Sequence, residues 1–287
     1  ITFNGQYLVD GSHNSKVTAT TTSLTNESLA TGTSGGTGMT SLANRNGGSL
    51  NIHSTDTVTV SYVVQGKTTT TSFSVGSCTL SNVIGAASGG IASTIGTSSS
   101  IGVDASGNTV YTADGGSAIT ITATGTGVSN QVSGFTISIT DNTGKVNKSA
   151  NAVLDDFSEK IRAQDTSADN SIVLQVGTKA SQSIKVGLTD MRSTALGLKG
   201  FDGSTLNVST QEKANAAINV LDNAVQKALD QQTTIGSIES RLEYTSSNLT
   251  TASENVQSSE STIRDADMAK EMTEYTKNNV LLQAAQS

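Results

Sequence analysis

The stretch 209–256, STQEKANAAINVLDNAVQKALDQQTTIGSIESRLEYTSSNLTTASENV, decides how the chain is read. Ala214, Leu221, Ala228, Ile235, Leu242, Leu249 and Val256 recur in it every seven residues. Beside them run Ala217, Ala224, Ile238 and Ala252, with Ile218 and Val225 on the same side. An apolar period of seven makes a narrow stripe that stays pointed at a partner helix, because 3.5 residues per turn keeps one seam aligned. No Pro interrupts the run, and its single glycine, Gly236, costs about 1 kcal/mol relative to Ala without forcing a break. The period predicts a rod of roughly 75 Å at ~1.5 Å per residue, far longer than an ordinary globular helix. No second helix of comparable length is legible to cover it. The seam therefore predicts a partner outside the chain, or a larger protein of which the chain is a piece.

Working outward, the composition excludes several classes. A length of 287 residues predicts two or three domains. Aromatics make up only 3% and apolar residues 34%, which predicts elongated or modular packing rather than one large core. Pro is absent, as suits long helices and regular strands. The net charge of −7 is uneven: residues 151–287 hold eighteen Asp and Glu against twelve Lys and Arg, while 11–150 hold five of each. Hydroxyls rather than ions keep the first half in solution. No basic stripe with interleaved aromatics occurs, which argues against nucleic-acid binding. No apolar run is long enough to span a bilayer as a helix. The chain opens mid-element at Ile1-Thr2-Phe3-Asn4-Gly5, so the lack of a leader says nothing about export.

Residues 1–11 predict a short extended segment with turns at Asn4-Gly5 and Asp10-Gly11. Between 12 and 150 the chain is rich in Thr, Ser, Gly and Ala. Apolar rows at period two (Val58-Val60-Tyr62-Val64, 69–75, Ile119-Ile121-Ala123, Phe135-Ile137-Ile139) predict strands, with a hairpin at Gln65-Gly66. The spacing of Leu80, Val83, Ile84 and Ala87 predicts a short helix within 80–92, and 96–108 reads as loop. Val153, Leu154, Phe157 and Ile161 predict a helix over 151–163. Ile172-Leu174-Val176 and Ile184-Val186-Leu188 predict a hairpin around 177–182. Ser209 or Thr210 suits an N-cap, with Glu212 in the first turn. The seam weakens through Gln257-Ser258-Ser259-Glu260-Ser261, and a second helix is expected beyond, carrying Ile263, Ala266, Ala269, Met272, Val280 and Leu281.

Catalytic chemistry finds no purchase in these residues. His13 and His53 lie forty residues apart with no Glu beside either, unlike a zinc peptidase helix. Adjacent Asp155 and Asp156 point different ways on a helix, and Asp265 and Asp267 read as partners of a helix N-terminus. Asp104 to Asn108 and Asp141 to Gly144 lack the spaced acids of a calcium loop and read as turns. Cys78 cannot form an internal disulfide and reads as a small buried residue. No catalytic, cofactor or metal residue is assigned, and the expectation is a chain that is not an enzyme.

Ser240-Arg241-Leu242-Glu243, then Ser261-Thr262-Ile263-Arg264-Asp265-Ala266-Asp267-Met268-Ala269-Lys270-Glu271-Met272 and 278–284 (NNVLLQA), resemble the C-terminal signature of bacterial flagellin. Phe3-Asn4-Gly5-Gln6 resembles the family's "FNG" turn. Leu174-Gln175-Val176-Gly177, the run from 184 to 191 and Leu196-Gly197 resemble its hairpin region. A weaker likeness at 58–87 is to a small β-rich motif of flagellins and hook-associated proteins. The chain looks like a flagellin without the helices that precede the "FNG" turn and without the last C-terminal residues, and a Cys is unusual for the family.

The resemblance implies an α+β fold: a long α-helical rod with a β-hairpin as core, plus a β-rich variable insert. It implies a start of the core at 1–11, an outer domain at 12–150, a helix and hairpin at 151–208, a long core helix at 209–258, and a terminal filament helix at 259–287 that orders on assembly. It implies a secreted structural subunit of the extracellular flagellar filament, acting in motility. The implied partners are further copies of itself, a secretion chaperone, a cap protein and Toll-like receptor 5. The assembly seam would be Ala214, Leu221, Ala228, Ile235, Leu242, Leu249 and Val256. Receptor recognition would involve Arg241, Leu242 and Glu243, weakened where the preceding helices are lacking. The alternatives are a hook–filament junction protein, and a surface adhesin acting through the insert. The Ser/Thr-rich insert is also a candidate for O-glycosylation, although uncharged polar strands account for its composition.

Overall fold

The period-two rows become antiparallel strands and the seven-residue row becomes one helix. A computed structural model describes residues 18–87, 89–96, 100–104, 107–111, 117–166, 172–177 and 182–286, with the backbone alone at 2–3, 6–7 and 266–267. The Asn4-Gly5 and Asp10-Gly11 turns, His13, and the hairpin turn at 178–181 lie outside the described residues. The chain forms two compact units, one of Ile1–Val173 with Lys185–Gln232, the other of Leu174–Ile184 with Thr233–Ser287.

In the first unit, β1 (Thr2–Phe3) pairs with β2 (Gln6–Tyr7). Then come β3 (Ser23–Asn26), the hairpin β4 (Thr57–Val64) and β5 (Lys67–Ser74), and α1 (Leu80–Gly85). They are followed by β6 (Ile91–Gly96), β7 (Ser100–Val103), β8 (Thr109–Tyr111), β9 (Ala118–Ala123), β10 (Val132–Thr140), α2 (Lys148–Leu154) and β11 (Ser158–Ile161). Strands β12 (Ile172–Gln175) and β13 (Ser183–Val186) pair with one another, and α3 runs over Gln211–Gln286.

Two antiparallel sheets, ordered β10-β4-β5 and β11-β3-β9-β6, enclose the core. Val58 and Val60 of β4, Ile137 and Ile139 of β10, Leu24 of β3, and Ile119 and Ile121 of β9 are all buried in it. Phe135 meets Phe157 edge to face, with ring centroids 5.0 Å apart. The β4–β5 turn needs two residues of positive φ, and Gln65 (53°) and Gly66 (72°) supply them. On the other face of that hairpin hydroxyls pair across strands, Thr59 Oγ1 with Ser72 Oγ at 2.9 Å and Ser61 Oγ with Thr70 Oγ1 at 3.1 Å. Helix α1 closes against the core with Leu80, Val83 and Ile84, capped by Thr79 and Asn82 reciprocally.

Three expectations are corrected. The helix expected over 151–163 is α2, which ends at Leu154, and the chain then pairs as β11 with β3. Phe157 and Ile161 are four residues apart, a spacing that fits one helix face and one strand face equally, and the open edge of β3 takes the segment. Ala150, Leu154 and Phe157 join the same core as β4 and β10. The short helix expected within 80–92 is α1, which ends at Gly85, and Gly89 and Gly90 beyond it take positive φ. Within the loop expected at 96–108, Ser100–Val103 is strand β7 and pairs with β8. The second helix expected after 257–261 is instead a continuation of α3. That stretch lacks an apolar stripe but contains neither Gly nor Pro. Its hydroxyls turn back onto the helix, Ser259 Oγ donating to Asn255 O (2.8 Å) and Thr262 Oγ1 to Ser258 O (2.9 Å). At the other end Thr210 is the N-cap, its Oγ1 accepting from Lys213 N at 3.4 Å.

Candidate assembly surface

The first turns of α3 rest on β10, and they do so on bare backbone. A Cβ at Gly134 would lie 2.7 Å from Val220 Cγ2 and 3.0 Å from Ala216 O. Ala216 and Val220 pack with Val63 of β4, and Leu198 and Leu206 close over them. Strand β10 is the edge of its sheet, and an open edge is a hazard. Here α3 and α2 cap it. Asn219 Nδ2 donates to Phe135 O and Asn223 Nδ2 to Ser133 O, both at 3.0 Å, while Ile139 N donates to Asn151 Oδ1 at 2.7 Å. Residues four apart on a helix stack along one face, so two asparagines reach alternate outward carbonyls of the strand.

Farther along the same face, Lys227 Nζ lies 3.1 Å from Glu159 Oε1, and Arg162 Nε lies 3.8 Å from Glu159 Oε2. Arg162 also pairs with Asp230. Burial pushes the Glu159 carboxyl up, against the pull of Lys227 and Arg162. These residues make a seat for α3 at helical spacing: Ala216, Ala217, Val220, Asn223, Ala224 and Lys227 are all buried.

The other side of the helix is apolar too and is uncovered. Ile218, Leu221, Val225 and Leu229 are each about half exposed, and Ala228 is exposed, while Ala214 is half-buried. The structure thus separates residues that the sequence groups together: Ala217 and Ala224 go into the seat, and Ile218 and Val225 stay outside with Leu221. Ala216 and Val220 were not singled out from the sequence, and neither were Asn223 and Lys227, whose polarity hides their burial.

In the second unit Leu242 and Leu249 line a groove of about 520 Å³ with Gln175, Val176, Thr245 and Glu254. Ile235 and Val256 are exposed, as are Ile263, Met272, Val280 and Leu281. Arg241 and Glu243 are exposed on either side of the half-buried Leu242. One chain therefore carries the seam residues Ala214, Leu221, Ala228, Ile235, Leu242, Leu249 and Val256 on a single helix, most of them facing solvent.

Chemical sites are sparse. Among the described residues no group of three or more His, Cys, Asp or Glu could hold a metal ion, and no helix is long and apolar enough to cross a membrane. Asp141 organises a tight turn, its Oδ1 accepting from Thr143 Oγ1 at 2.6 Å and from Thr143 N and Lys145 N at 2.8 Å each, and those bonds, the Thr143 hydroxyl's first, hold its carboxyl below the usual range. Asp265 accepts from Ser261 Oγ, and the Asp267 side chain is outside the described residues. Cys78 is half-buried against the core.

Residues 218–287 match the family model for the bacterial flagellin C-terminal helical region. A flagellin of Clostridium tyrobutyricum is 41% identical over 117 residues, covering 41% of this chain and 31% of that protein. A flagellin of Bacillus subtilis (strain 168) is 37% identical over 149 residues, 46% of this chain and 49% of that protein. The chain thus spans between about a third and a half of these two relatives. YvzB of Bacillus subtilis, a shorter protein that also carries a flagellin name, is 38% identical over 125 residues, and the chain covers 75% of it. With the signature residues on one uncovered helix and these relatives matched in sequence, the chain belongs to the flagellin family.

Proposed function

We propose that the protein is a structural subunit of an extracellular bacterial flagellar filament, polymerising through α3 and serving motility. The observation that carries this reading is the two-sided helix: one face is seated on β10, and the other presents Leu221, Val225 and Leu229 to solvent. Head-to-tail contacts between different surfaces of successive copies build open helical polymers rather than closed oligomers. Small seam residues such as Ala214 and Ala228 let helix backbones approach closely, so each contact is weak and repetition makes the fibre strong. The segment 259–286 orders fully when neighbours cover it.

Electron microscopy and sedimentation of the full-length protein test this. Leu249→Lys combined with Ile235→Lys is expected to keep the monomer folded and abolish filaments. Filaments of normal yield from that variant would refute the assignment of the seam.

The flagellin resemblance also supports contacts of Arg241, Leu242 and Glu243 with Toll-like receptor 5, and contacts of the helix with a secretion chaperone and a cap protein. Arg241→Ala with Glu243→Ala should lower signalling in receptor-reporter cells without altering the helix content of the monomer. Unchanged potency would remove these residues from the recognition surface.

A further inference from the structure

Asp155 ends α2, and its surroundings disfavour a negative charge. Its N–H donates to Asn151 O at 2.9 Å, which places the half-buried carboxylate at the carbonyl end of the helix. The charged group that faces it is another carboxylate, Asp156, which is held by Ser28 Oγ. From α3 the facing group is neutral: Asn219 Nδ2, 3.2 Å from Asp155 Oδ1. From β10 it is the Phe135 carbonyl, which accepts from the same Nδ2 at 3.0 Å. The seat's cations are engaged elsewhere, Lys227 by Glu159 and Arg162 by Glu159 and Asp230. Asn219 is therefore a bridge from α3 to both α2 and β10, and one end of it rests on a carboxyl group that no cation among the described residues contacts.

We propose that this bridge is a proton-operated latch: with Asp155 protonated the root of α3 is held to α2 and β10, and loss of the proton loosens it. A neutral carboxyl still accepts from Asn219 through its carbonyl oxygen and loses little by burial. An anion beside Asp156 gains by turning toward water, and that movement draws on the contact with Asn219. Burial first, opposed by the Asn219 amide and aided by Asp156, pushes Asp155 up from the ordinary 3.8 to about 7.

The sign follows from linkage. The folded chain holds this proton more tightly than the unfolded chain does. The stability it contributes is complete below the ordinary carboxylate range and drains away as pH rises through about 7. Glu159, the other buried acid of the seat, is shifted in the same direction by burial, against its pairing with Lys227. The latch lies wholly within the first unit and does not depend on what the chain assembles into.

Amide hydrogen exchange of the full monomeric chain, read on peptides spanning 211–232 and corrected for intrinsic rates, tests the latch. Between about pH 6 and about pH 9, wild-type protection should fall by about tenfold or more. In Asp155→Asn the profile should be flatter, with protection kept at the alkaline end. Asp156→Asn removes the neighbouring charge and should move the midpoint to lower pH. Wild-type protection that stays level or rises with pH overturns the proposal. If Asp155→Asn does not fold, an unmoved midpoint in Asp156→Asn overturns it alone.

Discussion

Lys227 Nζ stands 3.1 Å from Glu159 Oε1, with only 9% and 5% of the two side chains exposed. A buried pair of this kind contributes little net stability beyond its desolvation cost, yet breaking it strands a charge. Lys227→Met or Glu159→Gln alone should lower unfolding stability by about 3 kcal/mol, whereas Lys227→Met with Glu159→Leu should stay within about 1 kcal/mol of the parent. Urea titration of the three variants measures this. Additive losses in the double variant would show that the pair does not act as a unit.

Gly134 lets the helix lie on the strand. Gly134→Ala forces a Cβ to within 2.7 Å of Val220 Cγ2, and overpacking of this kind should cost about 2 kcal/mol. Adding Val220→Ala should recover part of the lost stability, with the 3.0 Å approach to Ala216 O preventing full recovery. A thermal melt of Gly134→Ala that matches the parent would mean that the helix is not seated there.

Asn223 satisfies the Ser133 carbonyl in a buried setting. Asn223→Ala should therefore cost about 1–2 kcal/mol, the penalty of an orphaned acceptor. Asp222→Ala, next to it on the exposed side, should change stability by less than about 0.5 kcal/mol. Equal effects from the two would contradict the orientation of the helix.

Val220 and Leu221 are neighbours in sequence on opposite faces, one fully buried and the other 49% exposed. Val220→Lys should unfold the seat, costing about 3 kcal/mol or more, while Leu221→Lys should be silent in the monomer to within about 0.5 kcal/mol. In a polymerisation assay the order reverses in meaning: Leu221→Lys yields a sound monomer that assembles poorly.

The strands were legible because Val58, Val60 and Tyr62, or Phe135, Ile137 and Ile139, alternate cleanly with Thr and Ser. The long helix was legible from its seven-residue row, and the flagellin signature from Arg241 through Met272. What sequence could not separate was helix from strand where the apolar spacing is four, at Phe157 and Ile161. Nor could it show that α3 has two working faces. Its seat is read through Asn219, Asn223 and Lys227, residue types that normally mark solvent, and their partners, the edge of β10 for the asparagines and Glu159 of β11 for the lysine, lie far away in sequence. The uncovered face, made of Leu, Ile and Val, looked like the whole of the pattern.

A joint that grips main-chain oxygens is indifferent to the side chains beside them. Asn219 and Asn223 hold the carbonyls of Phe135 and Ser133, and glycine at 134 leaves the clearance. The strand can accordingly change its side chain at 133 and keep its mounting on the helix, provided that position 134 stays glycine. A bracket that recognises the peptide bond holds the strand by a feature every residue shares.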